Sequence, residues 1–127
     1  MSLDIKLFIL LFMSMGIDWM VQTNWEAINK FSNPWARLRH AATYTLLTIM
    51  LLDVFSYPDN KLIVISWVLL ITHFIIDKRT IVTWWIKYVK RIPKCEIPNF
   101  WWMNIAIDQW LHMWVNLILC VIVTYMK

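Results

Sequence analysis

Ile71-Thr72-His73-Phe74-Ile75-Ile76-Asp77-Lys78 is the stretch on which the fold turns. A long apolar run ends there in a histidine and an aspartate four positions apart, and on a helix those two side chains share a face. Titratable groups at the end of a membrane-like run are costly to bury and mark a functional site by default. The other long apolar segments bring matching pairs at the same spacing: Asp18 with Gln22, His40 with Tyr44, and Asp108 with His112.

The composition around this stretch is that of a membrane chain. Of 127 residues, 61% are apolar and 16% charged, with one glycine, four prolines, ten tryptophans and a mean hydropathy of +0.57. Scarce Gly and Pro leave few turns, so the expected fold is all-α: a polytopic membrane bundle rather than a soluble one. The net charge of +4 does not imply nucleic acid, because the basic residues lie between apolar runs, where lipid head groups and topology account for them. Cys95 and Cys120 form no metal or redox motif and no disulfide framework.

Four membrane helices are predicted at about 3–21, 35–55, 61–77 and 100–125, all in one domain covering 1–127. Two shorter interfacial helices are predicted at 23–31 and 80–92. Thr23-Asn24-Trp25-Glu26 has capping-box spacing, and Asn33-Pro34 pairs an N-cap with Pro at the first helical position. Ser56 to Asn60 has the composition of a tight turn. From Thr80 to Ile92 an apolar face (Ile81, Val82, Trp85, Tyr88, Val89, Ile92) opposes a basic one, the pattern of a helix lying along a membrane. The first apolar run lacks a small-residue cleavage site and is expected to stay as a helix. Nine of the twelve basic residues fall in the first and third connections, which assigns those connections to the cytoplasm and both termini to the outside of a bacterial inner membrane.

At about 1.5 Å of rise per residue, Asp18 and His73 lie roughly 18 Å from the outer helix ends, His40 roughly 20, His112 roughly 22, Asp77 roughly 24 and Asp108 roughly 28 Å. All four helices thus deliver acid or imidazole to one layer near the cytoplasmic face. Three imidazoles and three carboxylates converging between helices have the composition of a divalent cation site, zinc above all. The predicted ligands are His40, His73, Asp77, Asp108 and His112. Asp18 is the candidate base, Asp108 is a second catalytic candidate, and Gln22, Tyr44, Lys78 and Gln109 are supporting groups. Interhelical hydrogen bonding alone is the competing account of such residues.

Asp18-Trp19-Met20-Val21-Gln22-Thr23-Asn24-Trp25 with Lys30, His40 with Tyr44, Thr72-His73-Phe74-Ile75-Ile76-Asp77 with Lys78, and Asp108-Gln109 with His112 together resemble the DUF3307 family of small bacterial and phage membrane proteins. The resemblance implies a polytopic membrane fold and a shared set of polar positions, and it supplies no reaction. The family pattern has a histidine four residues before the first aspartate, where this chain has Ser14.

Three functions are consistent with these residues. In the first, a metal-dependent hydrolase takes an anionic lipid or phosphoester, with Lys78, Arg37 and Arg39 attracting it. In the second, the polar layer is half of a proton or cation path, which a homo-oligomer would have to complete. In the third, a non-catalytic accessory protein works through a partner or the lipid bilayer. No glycine-rich phosphate loop and no nucleophile motif is present.

Overall fold

A computed structural model describes residues 3–54 and 59–125, with the backbone alone described at 3–8, 10, 11, 59, 97, 123 and 124. The helices are α1 (Leu3–Met20), α2 (Asn24–Asn29), α3 (Pro34–Val54), α4 (Asp59–Ile76), α5 (Thr80–Tyr88) and α6 (Trp101–Tyr125), the last preceded by a 3-10 turn at Ile97–Phe100. No strand occurs among the described residues. Most of the Ser56–Asn60 turn lies outside them.

Local chemistry explains the boundaries. Thr23 and Glu26 close the capping box on α2, with the Glu26 amide donating to the Thr23 hydroxyl at 3.2 Å and the Thr23 amide donating to the Glu26 carboxylate at 2.9 Å. Asn33 caps α3 by accepting from the Trp35 amide at 2.9 Å, ahead of Pro34 in the first turn. The α4–α5 junction bends by 52° through Arg79, whose φ of 57° is left-handed. A second left-handed residue, Arg91, follows α5, which ends at Tyr88 rather than at residue 92.

The long helices close a ring in which α1 packs on α3 and α6, and α4 packs on the same two. Buried positions recur every three or four residues along each: Ala36, His40, Tyr44, Thr48 and Leu52 on α3; Ile65, Leu69, His73 and Asp77 on and just beyond α4; Asp108, His112, Asn116 and Cys120 on α6. These stripes are the ridges by which helices pack, and the bundle turns them inward. The outward faces are apolar instead, with Trp19, Trp35, Trp67, Trp101 and Trp110 all more than half exposed. Ser66 and Thr72 on α4 donate to their own backbone carbonyls at Leu62 and Val68, both at 2.7 Å, so that neither hydroxyl needs water.

Among the described residues one helix, Pro98–Ile122, is long and apolar enough to cross a membrane by itself; Asn60–Ile76 and Thr80–Tyr88 are so only as a bent pair. α3 falls short of the expected span because Arg37, Arg39 and His40 crowd its opening turns. On α5 the face that packs is Val82 and Ile86, while Trp85 and Tyr88 of the predicted apolar face are exposed.

Candidate metal centre

Each long helix contributes to one buried cluster. Asp18 comes from the last turn of α1, His40 from the second turn of α3, His73 and Asp77 from the end of α4, and Asp108 and His112 from α6; none is more than 6% exposed. Asp77 lies just past α4, yet its amide still donates to the His73 carbonyl at 3.0 Å, so the helical register that pairs them survives.

The ring nitrogens and carboxylate oxygens face one another across short gaps. His40 Nε2 is 2.8 Å from Asp18 Oδ1 and 3.4 Å from Asp77 Oδ2. His73 Nε2 is 3.5 Å from Asp18 Oδ1 and 3.3 Å from Asp77 Oδ2. On the other side of Asp77, Oδ1 is 3.6 Å from His112 Nε2, which is 3.9 Å from Asp108 Oδ1. Ligand atoms about 2.0–2.1 Å from a tetrahedral zinc stand ~3.3 Å from one another, close to most of these separations. Two groups result, Asp18/His40/His73/Asp77 and Asp77/Asp108/His112, and within each the candidate ligand atoms all lie within 4.8 Å. This buried cluster can hold a metal ion, and Asp77 belongs to both halves.

Hydrogen bonding alone leaves the cluster incomplete. Both ring nitrogens of His73, both carboxylate oxygens of Asp77, Asp108 Oδ1 and His112 Nε2 are buried with no hydrogen-bond partner among the described residues. Buried polar atoms are normally satisfied, and a cation is the group that would satisfy acceptors of this kind together. The ring of His73 is fixed from both sides, stacked on Tyr44 at 4.0 Å and on His112 at 4.2 Å between centroids.

The supporting residues overlap the expected set in part. Gln109 donates to Asp18 Oδ2, so the carboxylate expected to act as a base is engaged on both oxygens. The Tyr44 hydroxyl accepts from Asn116 at 2.8 Å, and Asn116 also donates to Ser14 at 2.9 Å, forming a polar layer beside the cluster. Lys78 is exposed, Arg37 lies over the Phe74 ring, and Arg39 pairs with Glu26. The cation inside the cluster is Lys30, 4% exposed, with Nζ 3.1 Å from His40 Nε2, 3.3 Å from Asp77 Oδ1 and 3.7 Å from Asp18 Oδ1. Its position at the C-cap of α2, on a helix of six residues, carries no periodic signal of an inward side chain.

A cavity of about 340 Å³ adjoins the cluster, lined in part by Gln22, Lys30, Phe31, Arg79, Asp108 and Gln109. Outside the long helices, burial works against the charge of Glu26, but hydrogen bonds from the Thr23 amide and hydroxyl and the nearby Arg39 outweigh it and hold the carboxyl below its ordinary range.

A structure of this kind defines a helical bundle with a buried histidine and aspartate centre. Comparison with known proteins carries the assignment no further, since no family model, curated protein or solved structure matches the chain.

Proposed function

We propose that the chain is an integral membrane protein whose four long helices cross the bilayer around a divalent cation, zinc by its donor set, used to hydrolyse an anionic phosphoester at the cytoplasmic side. The membrane reading is supported by an inverted distribution: among the described residues, the buried set contains more polar side chains than apolar ones, while tryptophans cover the exterior. Water-soluble domains do the reverse. The resemblance to DUF3307 proteins agrees with this topology.

The observation that carries the metal reading is the convergence of His73, Asp77, Asp108 and His112 atoms that make no hydrogen bond among the described residues, across gaps the size of a coordination polyhedron, with Lys30 ion-paired to Asp77 beside them. Bound there, a divalent cation would acidify water and polarise a phosphoryl oxygen. Asp18, His40, His73 and Asp77 hold one position, and Asp77, Asp108 and His112 frame a second. Asp108 lines the cavity with its Oδ1 uncommitted and would serve there as a ligand of the second position, whereas Asp18, the carboxylate expected as base, is held by His40 and Gln109.

Elemental mass spectrometry on detergent-purified protein tests this, alongside His73→Ala/Asp108→Ala. Near-stoichiometric zinc, manganese or iron in the parent and none in the variant is the expected result, with phosphoesterase activity that follows the metal. A parent that holds no metal after reloading removes the metalloenzyme reading.

A further inference from the structure

The cavity beside Asp108 contains more cationic and amide chemistry than a metal site needs. Arg79 reaches it from the left-handed residue at the α4–α5 bend, with its guanidinium 3.7 Å from the Phe31 ring centroid. Such stacking fixes the plane of the group and uses none of its N–H donors. Its Nε is buried and has no hydrogen-bond partner among the described residues, and the same is true of Gln22 Oε1. Lys30 lines the cavity from the cluster side. Two cations, one of them a planar donor with an uncommitted N–H, and an uncommitted acceptor therefore belong to residues that line a space of about 340 Å³, near the lower end of small-molecule pockets.

Charge points to the same ligand. With neutral imidazoles, the three carboxylates and Lys30 leave two negative charges, which one divalent cation balances. Occupying both positions around Asp77 leaves a surplus of two positive charges, and Arg79 adds to it. A phosphate dianion offsets most of that surplus, leaving one positive charge, and its oxygens suit a guanidinium fork. Asp108 would oppose an anion in isolation, but as a ligand in the Asp77/Asp108/His112 group its charge is taken up by the metal.

We propose that the Arg79–Lys30–Gln22 cavity is a phosphoryl subsite, in which Arg79 binds the phosphate of the substrate beside the Asp77/Asp108/His112 position and Gln22 accepts from a hydroxyl of that ligand. This rests on the metal reading for its catalytic meaning and stands apart from it as a binding site. The phosphate can be that of a lipid headgroup or of a soluble ester, since the chemistry of the cavity is common to both.

The test is calorimetric titration of detergent-purified protein with inorganic phosphate, zinc-loaded and zinc-stripped, with zinc content measured on the same samples. Arg79→Gln is expected to weaken phosphate binding by about tenfold or more at unchanged zinc content, with Lys78→Gln next to it as a control without effect. Gln22→Glu, which places an acid in the cavity, is expected to do the same and serves if Arg79→Gln fails to fold. Parent protein that holds zinc but binds no phosphate, or binds it equally well in both cavity variants, overturns the subsite and leaves the metal site standing. Arg79-dependent phosphate binding in parent protein that takes up no zinc on reloading supports the subsite and removes the metal reading. Nanodiscs containing phosphatidic acid decide the source: competition with inorganic phosphate identifies a lipid phosphate, and its absence a soluble one.

Discussion

Along the ring of α1, α3, α4 and α6, one end of the interior is filled by Leu52, Leu62, Ile65, Leu69, Leu119 and Cys120, and the other by Asp18, Lys30, His40, His73, Asp77, Asp108 and His112. The same helices line both ends. Tyr44, which packs into the aliphatic cluster and stacks on His73, marks the boundary with Asn116. In the bilayer proposed for the bundle, lipid tails would be as apolar as Leu or Ile, and the aliphatic end would gain only packing by associating. There the polar end would have no comparable alternative, because its charges would be satisfied only by one another or by a bound cation. The contrast also weighs against ion conduction through one copy, since a path from the cluster would have to cross the aliphatic end.

The largest effect that would break this contrast is expected at Asp77, which is shared by both ligand groups. Asp77→Ala removes a donor from each and leaves Lys30 without its 3.3 Å partner, at a cost of about 3–5 kcal/mol for a broken buried pair. Asp77→Asn keeps the shape and is expected to fold while losing metal at both positions. Thermal unfolding and elemental analysis measure the two consequences separately. Full metal content in Asp77→Asn would mean that the two halves of the cluster do not share a ligand.

A smaller effect is expected at the aliphatic end. Ile65→Ala opens a cavity at a residue 3% exposed; in the proposed bilayer setting, lipid replaces water as the reference and the cost should fall at or below the lower limit of core truncations, about 2 kcal/mol. Metal content should not change. If Ile65→Ala empties the metal site, the ends are coupled and the contrast is one of composition only.

The polar end was legible in the sequence wherever its residues obey helical spacing. His73 with Asp77 and Asp108 with His112 are i, i+4 pairs on single helices, and depth arithmetic alone brings them to one level. Groups placed by the rotation of one element against another were not legible. Lys30 enters from a six-residue helix, and Arg79 and not Lys78 faces the cavity. The last is a shift of one residue, about 100° around a helix, made larger by the left-handed turn at Arg79. The aliphatic end was legible as apolar runs, but which of their residues point inward depends on the same rotations.

The smallest effect sharpens the contrast at its rim, where α2 delivers Lys30. Glu26 is charged in the capping box, and its carboxyl is held below the ordinary range by Thr23 and Arg39 against the opposing influence of burial. A group with a depressed folded-state pKa contributes stability that is complete above its unfolded value, about 4.3, and is lost as pH falls through the folded value. Fraying of α2 should therefore grow below about pH 4, and Glu26→Gln should bring part of it to neutral pH, at about 0.5–1 kcal/mol, the scale of a single cap. Amide exchange at Ala27 and Lys30, whose N–H groups bond to the Thr23 and Glu26 carbonyls at 2.9 and 2.8 Å, measures it. Because Lys30 is the last residue of that turn, faster exchange in Glu26→Gln should accompany a modest change in metal affinity, while Ile65→Ala should alter neither. Exchange that speeds up with no change in metal affinity would show that Lys30 is held by the cluster alone and not by the helix that carries it.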